Sequence, residues 1–155
     1  MIVGVDVGGA NIKASILREG PPLELRSTKL HNPLWLKGPE SLRDSIKRAV
    51  DRLGGLDETK HVAITMTAEL SDVFKDKREG VEFTVKAAEE ALGDVRIINV
   101  HGKLLKPKDA VSRYMEVAAA NWWSVGWFSS LIEDNCIVID VGSTTTTITP
   151  VVNGT

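Results

Sequence analysis

Only one cysteine, Cys136, occurs in the 155 residues, which excludes an internal disulfide. It opens an apolar stretch, where a buried and inert thiol is expected. Aromatic residues are scarce at 5%. No apolar run reaches the roughly 18 residues that a membrane-spanning helix requires, and no basic segment followed by an apolar one opens the chain. An excess of charge of one sign is lacking too. Lys and Arg number 19 against 21 Asp and Glu, and a net charge of −2 offers neither nucleic acid nor an anionic membrane an electrostatic footing. These absences lead to the expectation of a cytoplasmic, soluble protein. With 43% hydrophobic residues the chain is long enough for one ordinary core.

What is present is a repeated loop. Residues 3–13 run from an apolar strand through Asp6, Val7, Gly8, Gly9, Ala10 and Asn11 into a second apolar run. Glycine lets the backbone pass close to a bulky anion because no Cβ holds the anion away. Near the other end, Asp140-Val-Gly142-Ser143-Thr144-Thr145-Thr146-Thr147 follows another apolar strand. Asp6 and Asp140 stand 140 − 6 = 134 residues apart. One such loop is a weak signal. Two, a domain apart, point to a duplicated fold that grips a phosphorylated ligand between two half-sites.

Between the loops, the pattern predicts strands at 2–7, 12–17 and 23–30, then a loop over 31–39 that holds Trp35. A loop tryptophan either caps a core edge or lines a pocket. A helix is expected from Pro39 or Ser41, with Ser41 and Asp44 as a capping box, Leu42, Ile46, Ala49, Val50 and Leu53 inward, and Gly54-Gly55 as its stop. A strand at 61–66 leads through a polar segment into a helix that buries Val81, Val85, Ala88 and Leu92. A strand at 95–100 follows. Pro107 then opens one long helix, with Ala110, Val111, Tyr114, Ala118 and Trp122 inward and Gly126 bending or ending it.

The order βββ-α-β-α-β-α predicts an α/β fold: a mixed five-stranded sheet with helices on both faces, in the ribonuclease-H-like layout. The expected division is a first domain over 1–133 and, over 134–155, the start of a duplicated second one, the chain then being the front part of a longer protein.

Chemically, Asp6 and Asp140 are candidates to hold a divalent cation while backbone amides of Gly8, Gly9 and Asn11 face phosphate oxygens. Lys13 supplies a cation; Gly142, Ser143, Thr144, Thr145 and Thr146 form the second phosphate loop. The bland alternatives are hairpin satisfaction for Asp6, a solvated strand lysine and a β-prone threonine run. Glu69 and Asp72, three apart, share a face if helical and are candidate bases. Thr67, Lys75, Arg78 and the inward amide Asn121 are candidate substrate contacts. Trp123 and Trp127, one helical turn apart, read as an interface. The three histidines show no metal-ligand spacing.

These motifs resemble the actin-like ATPase superfamily. More narrowly, the segments at 4–13, 33–35, 65–74, 78–81, 120–122 and 140–146 are similar to an archaeal and methylotroph family linked to methanopterin-dependent one-carbon metabolism, within the hydantoinase/oxoprolinase branch. Its characterised branch is methanofuran synthase. The resemblance implies a transferase that condenses an aminomethylfuran-methyl diphosphate with the phenol of γ-glutamyltyramine and releases diphosphate. It implies Mg2+ as cofactor, ATP being admitted and not favoured, with Glu69 or Asp72 taking the phenolic proton. The implied partners are the diphosphate substrate and the phenolic amine; a homo-oligomer is left open. One departure is Thr147, where the family commonly has aspartate. Two other readings stay open: an ATP-dependent kinase or hydantoinase/oxoprolinase-like ATPase, and a non-catalytic phosphate-ligand-binding or assembly module that uses its tryptophans.

Overall fold

The computed structural model describes residues 1–57, 59, 61–142 and 145–154. Three strands, β1 (Ile2–Val7), β2 (Asn11–Arg18) and β3 (Glu24–His31), form an antiparallel meander. Two short-spaced helices follow, α1 (Leu34–Lys37) and α2 (Ser41–Asp51). Strand β4 (His61–Met66) lies parallel to β1, and β5 (Val95–Ile98) parallel to β4, with α3 (Lys77–Leu92) crossing between them. A two-residue strand, β6 (Leu104–Leu105), adds an antiparallel edge, so the sheet has six strands in the order β3-β2-β1-β4-β5-β6. Its first five follow the ribonuclease-H-like order anticipated from the pattern; the sixth was too short to show a period.

Alternation decides the faces. Val3, Val5 and Val7 of β1, Ile12, Ala14 and Ile16 of β2, and Val62, Ile64 and Met66 of β4 are buried, and α2 and α3 pack on them. The expected apolar stripes of both helices are buried, Leu42, Ile46, Ala49 and Val50 on one and Val81, Val85, Ala88 and Leu92 on the other. The other sheet face carries Gly4, Asp6, Lys13, Ser15, Ala63 and Thr65, and α6 (Asn121–Ser130) reaches it through Ser124.

Several local expectations are corrected. Ser41 and Asp44 form no capping box: the Ser41 hydroxyl donates to the Gly38 carbonyl at 2.7 Å and accepts from the Asn32 amide at 3.0 Å. The loop at 31–39 contains the one-turn α1, and Trp35 on it is 57% exposed, edging a hollow of about 50 Å3 beside Gly9, Thr67 and Thr145 rather than capping a core. The long helix from Pro107 is three pieces, α4 (Pro107–Ser112), α5 (Tyr114–Val117) and α6. Ala119, with φ of 51°, breaks it, which turns Trp122 partly outward. Gly126 neither bends nor ends α6. It lies inside the helix, where a Cβ would stand 3.1 Å from the Thr149 methyl.

The last two strands, β7 (Cys136–Val141) and β8 (Thr146–Val151), form a separate antiparallel hairpin that packs against α6. Among the described residues no helix is long and apolar enough to cross a membrane.

Candidate functional site

The turn from β1 to β2 is closed by the Gly8 amide donating to the Asn11 carbonyl at 3.0 Å. Glycine is required there, since a Cβ on Gly8 would lie 2.8 Å from that carbonyl oxygen. The Gly8 amide is therefore spent on the turn and does not face an anion as expected. Its two neighbours differ. The Gly9 and Ala10 carbonyls accept from Leu34 and Asn32 amides at 2.9 Å, which pins both peptides from outside and leaves the Gly9 and Ala10 N–H groups without an acceptor among the described residues. Two adjacent free amides on a tight turn are candidates to face an anion.

The pin is Asn32, buried between strand and helix. Its side-chain amide donates to Ser41 and its carbonyl accepts from Ser45, each at 3.0 Å, so α2 and the turn are held by one residue. Sequence reasoning missed it because an Asn-Pro pair reads first as a loop signal.

Around this turn lies a cleft of about 240 Å3, lined by Asp6, the turn, Lys13, Lys29, Thr67 and Asn121, and from β7 and its loop by Asp140, Gly142 and Thr145. Asp6 pairs in register with Lys13, and Lys13 with Lys29, so the three share a sheet face. Lys13 donates to Asp6 Oδ2 at 3.1 Å. Both groups are partly solvated, so the pair is worth under about 1 kcal/mol and an arriving anion can recruit the ammonium. Asp6 Oδ1 is buried with no partner among the described residues. Lys29 was not foreseen; the signal available was the register of the β2–β3 meander, which sets it opposite Lys13.

The second hairpin reproduces the turn. The Gly142 amide donates to the Thr145 carbonyl at 2.8 Å, and both residues stand 134 positions after Gly8 and Asn11. Asp140 faces Thr147 as Asp6 faces Lys13. Ser143 and Thr144 lie outside the described residues. Thr146 belongs elsewhere than expected: it pairs with Val141 on the hairpin face that carries Ile139 and Ile148, opposite to the face of Asp140.

The candidate bases are not brought to the cleft. Ala68–Leu70 is a single 3-10 turn that ends before Asp72, with Ser71 extended, so Glu69 and Asp72 do not lie on one helix. Asp72 is exposed. Glu69 is 2% exposed, packed so closely under α3 that a Cβ on Gly80 would lie 2.7 Å from its Cα. Its Oε1 accepts from the Ala119 amide at 2.7 Å, and its Oε2 has no partner among the described residues. Burial pushes its carboxyl above the ordinary range, against the opposing pull of backbone hydrogen bonds and of Lys77. Lys75 and Arg78 also stand off the cleft. The Lys75 backbone amide donates to Glu79, and the Arg78 guanidinium lies 4.4 Å over the Tyr114 ring. The segment's charges cap and flank α3, whose N-terminus Asp76 caps by accepting from Glu79 at 2.9 Å. Thr67 and Asn121 do reach the cleft. Trp123 and Trp127 stack at 6.4 Å between centroids, as the helical spacing anticipated.

A Mg2+ that keeps most of its water takes one or two carboxylates plus phosphate oxygens, and Asp6 and Asp140, which both line the cleft, are the residues that would hold it. No group of three or more His, Cys, Asp or Glu among the described residues is placed to form an all-protein cage.

Comparison with known proteins follows this geometry. A (4-{4-[2-(gamma-L-glutamylamino)ethyl]phenoxymethyl}furan-2-yl)methanamine synthase of Methanocaldococcus jannaschii is 38% identical over 156 residues, 97% of this chain. The chain spans 43% of that relative's length. Two solved Ppx/GppA structures from Aquifex aeolicus, one described as a phosphatase, align over 99% of this chain and 49% and 48% of theirs, with identities of 13% and 14% and TM-scores of 0.49 and 0.48. The family model described as hydantoinase/oxoprolinase matches residues 60–155, and this chain belongs to that family.

Proposed function

We propose that the cleft binds the diphosphate of an alkylating substrate in a transferase reaction: an aminomethylfuran-methyl diphosphate condenses with the phenol of γ-glutamyltyramine to give an ether and free diphosphate. The observation that carries the reading is the set of unspent groups at one place. Gly9 and Ala10, whose N–H groups have no acceptor among the described residues, line the same cleft as Asp6, Lys13 and Lys29. The relative is a synthase of a phenoxymethyl-furanyl methanamine, an ether that joins a furan methylene to a phenol bearing a γ-glutamylaminoethyl arm.

In this reaction the bond between the furan methylene and the bridging oxygen breaks, and its electron pair leaves with diphosphate. The phenol oxygen forms the new C–O bond to the methylene. The electron-rich ring carries the positive charge that develops, so the protein's task is to stabilise the departing anion. The Gly9 and Ala10 N–H groups donate to its oxygens, while Lys13 and Lys29 neutralise its charge. Mg2+ at Asp6 and Asp140 supplies further charge stabilisation when bound. Since neither Glu69 nor Asp72 lines the cleft, the departing diphosphate is the acceptor of the phenolic proton. Thr145 and Asn121 close over the anion from the side of the second hairpin and α6. Residues 134–155 are, on this reading, the opening of a second unit built like the first.

The hydantoinase/oxoprolinase family favours a second reading, an ATP-dependent reaction that uses the same cleft for a nucleotide's phosphates. Calorimetric titration with Mg2+-diphosphate and separately with Mg2+-ATP separates them, each repeated on Asp6→Ala. Diphosphate binding that weakens more than about tenfold in the variant, with ATP no tighter than diphosphate, supports the transferase. ATP binding far tighter than diphosphate refutes it in favour of the ATPase, and binding of neither leaves the non-catalytic assembly module.

A further inference from the structure

The cleft does not end at the phosphate turn. A groove of about 360 Å3 continues from it along the same sheet face, and the two share Asp6 and Lys13. Three small residues make its floor, Gly4 on β1, Ser15 on β2 and Ala63 on β4. They lie in one row, since Gly4 pairs in register with both Ser15 and Ala63. Ile98 and Leu104 wall one side, and Ser124 of α6 reaches over it.

The row is a shelf kept clear of side chains. A Cβ built on Gly4 would meet nothing within 4 Å, so the fold itself does not demand glycine there. At about 3.3 Å per residue the shelf begins about 7 Å below the row of Lys13, Asp6 and Thr65, roughly the reach of one aromatic ring plus a methylene. A volume of 360 Å3 falls near the lower end of the range of about 300–1,000 Å3 for ligand sites. Beyond the end it shares with the cleft, its lining of Gly4, Ser15, Ala63, Ile98, Leu104 and Ser124 carries no charge and gives a flat apolar body a fitting surface.

We propose that this shelf holds the aromatic ring of the alkylating substrate, a five-membered heteroaryl group one methylene from its diphosphate. The inference rests on the reading of the cleft as a diphosphate site and extends it to the organic half of the same molecule. The ring lies on Gly4, Ser15 and Ala63. The diphosphate lies at the Gly9 and Ala10 amides, and the reacting methylene falls at the level of Thr65, whose hydroxyl is buried without a partner among the described residues. Selectivity for a ring of this size then comes from the small residues of the shelf rather than from the phosphate turn.

The test titrates the chain, with Mg2+ present, with methylenebisphosphonate and with its furan-2-ylmethyl ester, an unreactive ring-bearing probe. The ester binds about tenfold tighter to the unaltered protein. Gly4→Leu fills the shelf, abolishes that preference and leaves methylenebisphosphonate affinity within about twofold. Ala63→Leu fills it from the neighbouring strand and does the same, and thermal melting of each variant confirms that it is folded. An ester that binds no tighter than methylenebisphosphonate, or a preference that survives in both folded variants, overturns the ring site while the diphosphate reading stands. Failure of both probes to bind overturns the diphosphate reading and the ring site with it.

Discussion

A single buried residue, Asn32, ties the β1–β2 turn to the start of α2. Its backbone N–H holds the Ala10 carbonyl, and its side chain joins Ser41 to Ser45 at the start of α2. Asn32→Ala removes two side-chain hydrogen bonds and strands Ser45, which is buried. A stranded buried polar group costs about 1–3 kcal/mol, so the expected loss is about 2–4 kcal/mol, read as a lower denaturant midpoint with an unchanged slope. The backbone N–H that pins the Ala10 peptide is kept in the variant, so diphosphate affinity is expected to change little at temperatures where it is fully folded. Lys13→Ala has the converse effect. Its ion pair is partly solvated and of little weight in stability, so binding falls while the melting temperature stays.

At the scale of elements, the α-helical break before α6 shows what a sequence pattern transmits and what it does not. The stripes of α2 and α3 were legible because each helix meets one sheet face, and the period of its apolar residues records that geometry directly. The segment after Pro107 has apolar residues at helical spacing too, but the chain leaves the helix at Ala118–Ala120 to bring the Ala119 amide to Glu69, fifty residues away in sequence. No local pattern encodes such a long-range hydrogen bond. The site followed the same rule. The turn positions of Asp6, Gly8 and Gly142 were legible from their repeat, though not that the Gly8 amide closes the turn; Lys29 required the strand register, and Glu69, read as a candidate base beside Asp72, is buried by packing under α3 that no local pattern encodes. That burial has a pH consequence. The folded-state pKa of Glu69 lies above its ordinary value of 4.5, so the folded state binds a proton more readily than the unfolded one. Stability is therefore fully present below 4.5 and declines as pH rises through the raised folded value. Glu69→Gln keeps an acceptor for Ala119 and carries no charge. It is expected to melt above the unaltered protein at neutral pH, with the gap closing as the solution is acidified towards 4.5. A gap that widens on acidification would show that ionised Glu69 is favoured by the fold.

For the molecule as a whole, the two hairpins are related in turn geometry but not in packing. The β1–β2 pair sits in a six-stranded sheet with α2 and α3 against it, whereas the β7–β8 pair has only α6 on one side. Ile137, Ile139 and Ile148 are each more than 60% exposed on the other side, and the register sets them, with Val141, on one face. Singly exposed apolar residues are ordinary; a contiguous face of them drives association. The chain in solution is therefore expected to self-associate with rising concentration, as seen by sedimentation velocity. Ile139→Lys with Ile148→Thr should return it to monomer. Asp140 and Thr147 lie on the opposite hairpin face, so the doubly substituted chain should bind Mg2+-diphosphate as the unaltered one does. If binding were lost together with association, the cleft would depend on a second copy of the chain, and the pairing of turns 134 residues apart would not suffice to form it.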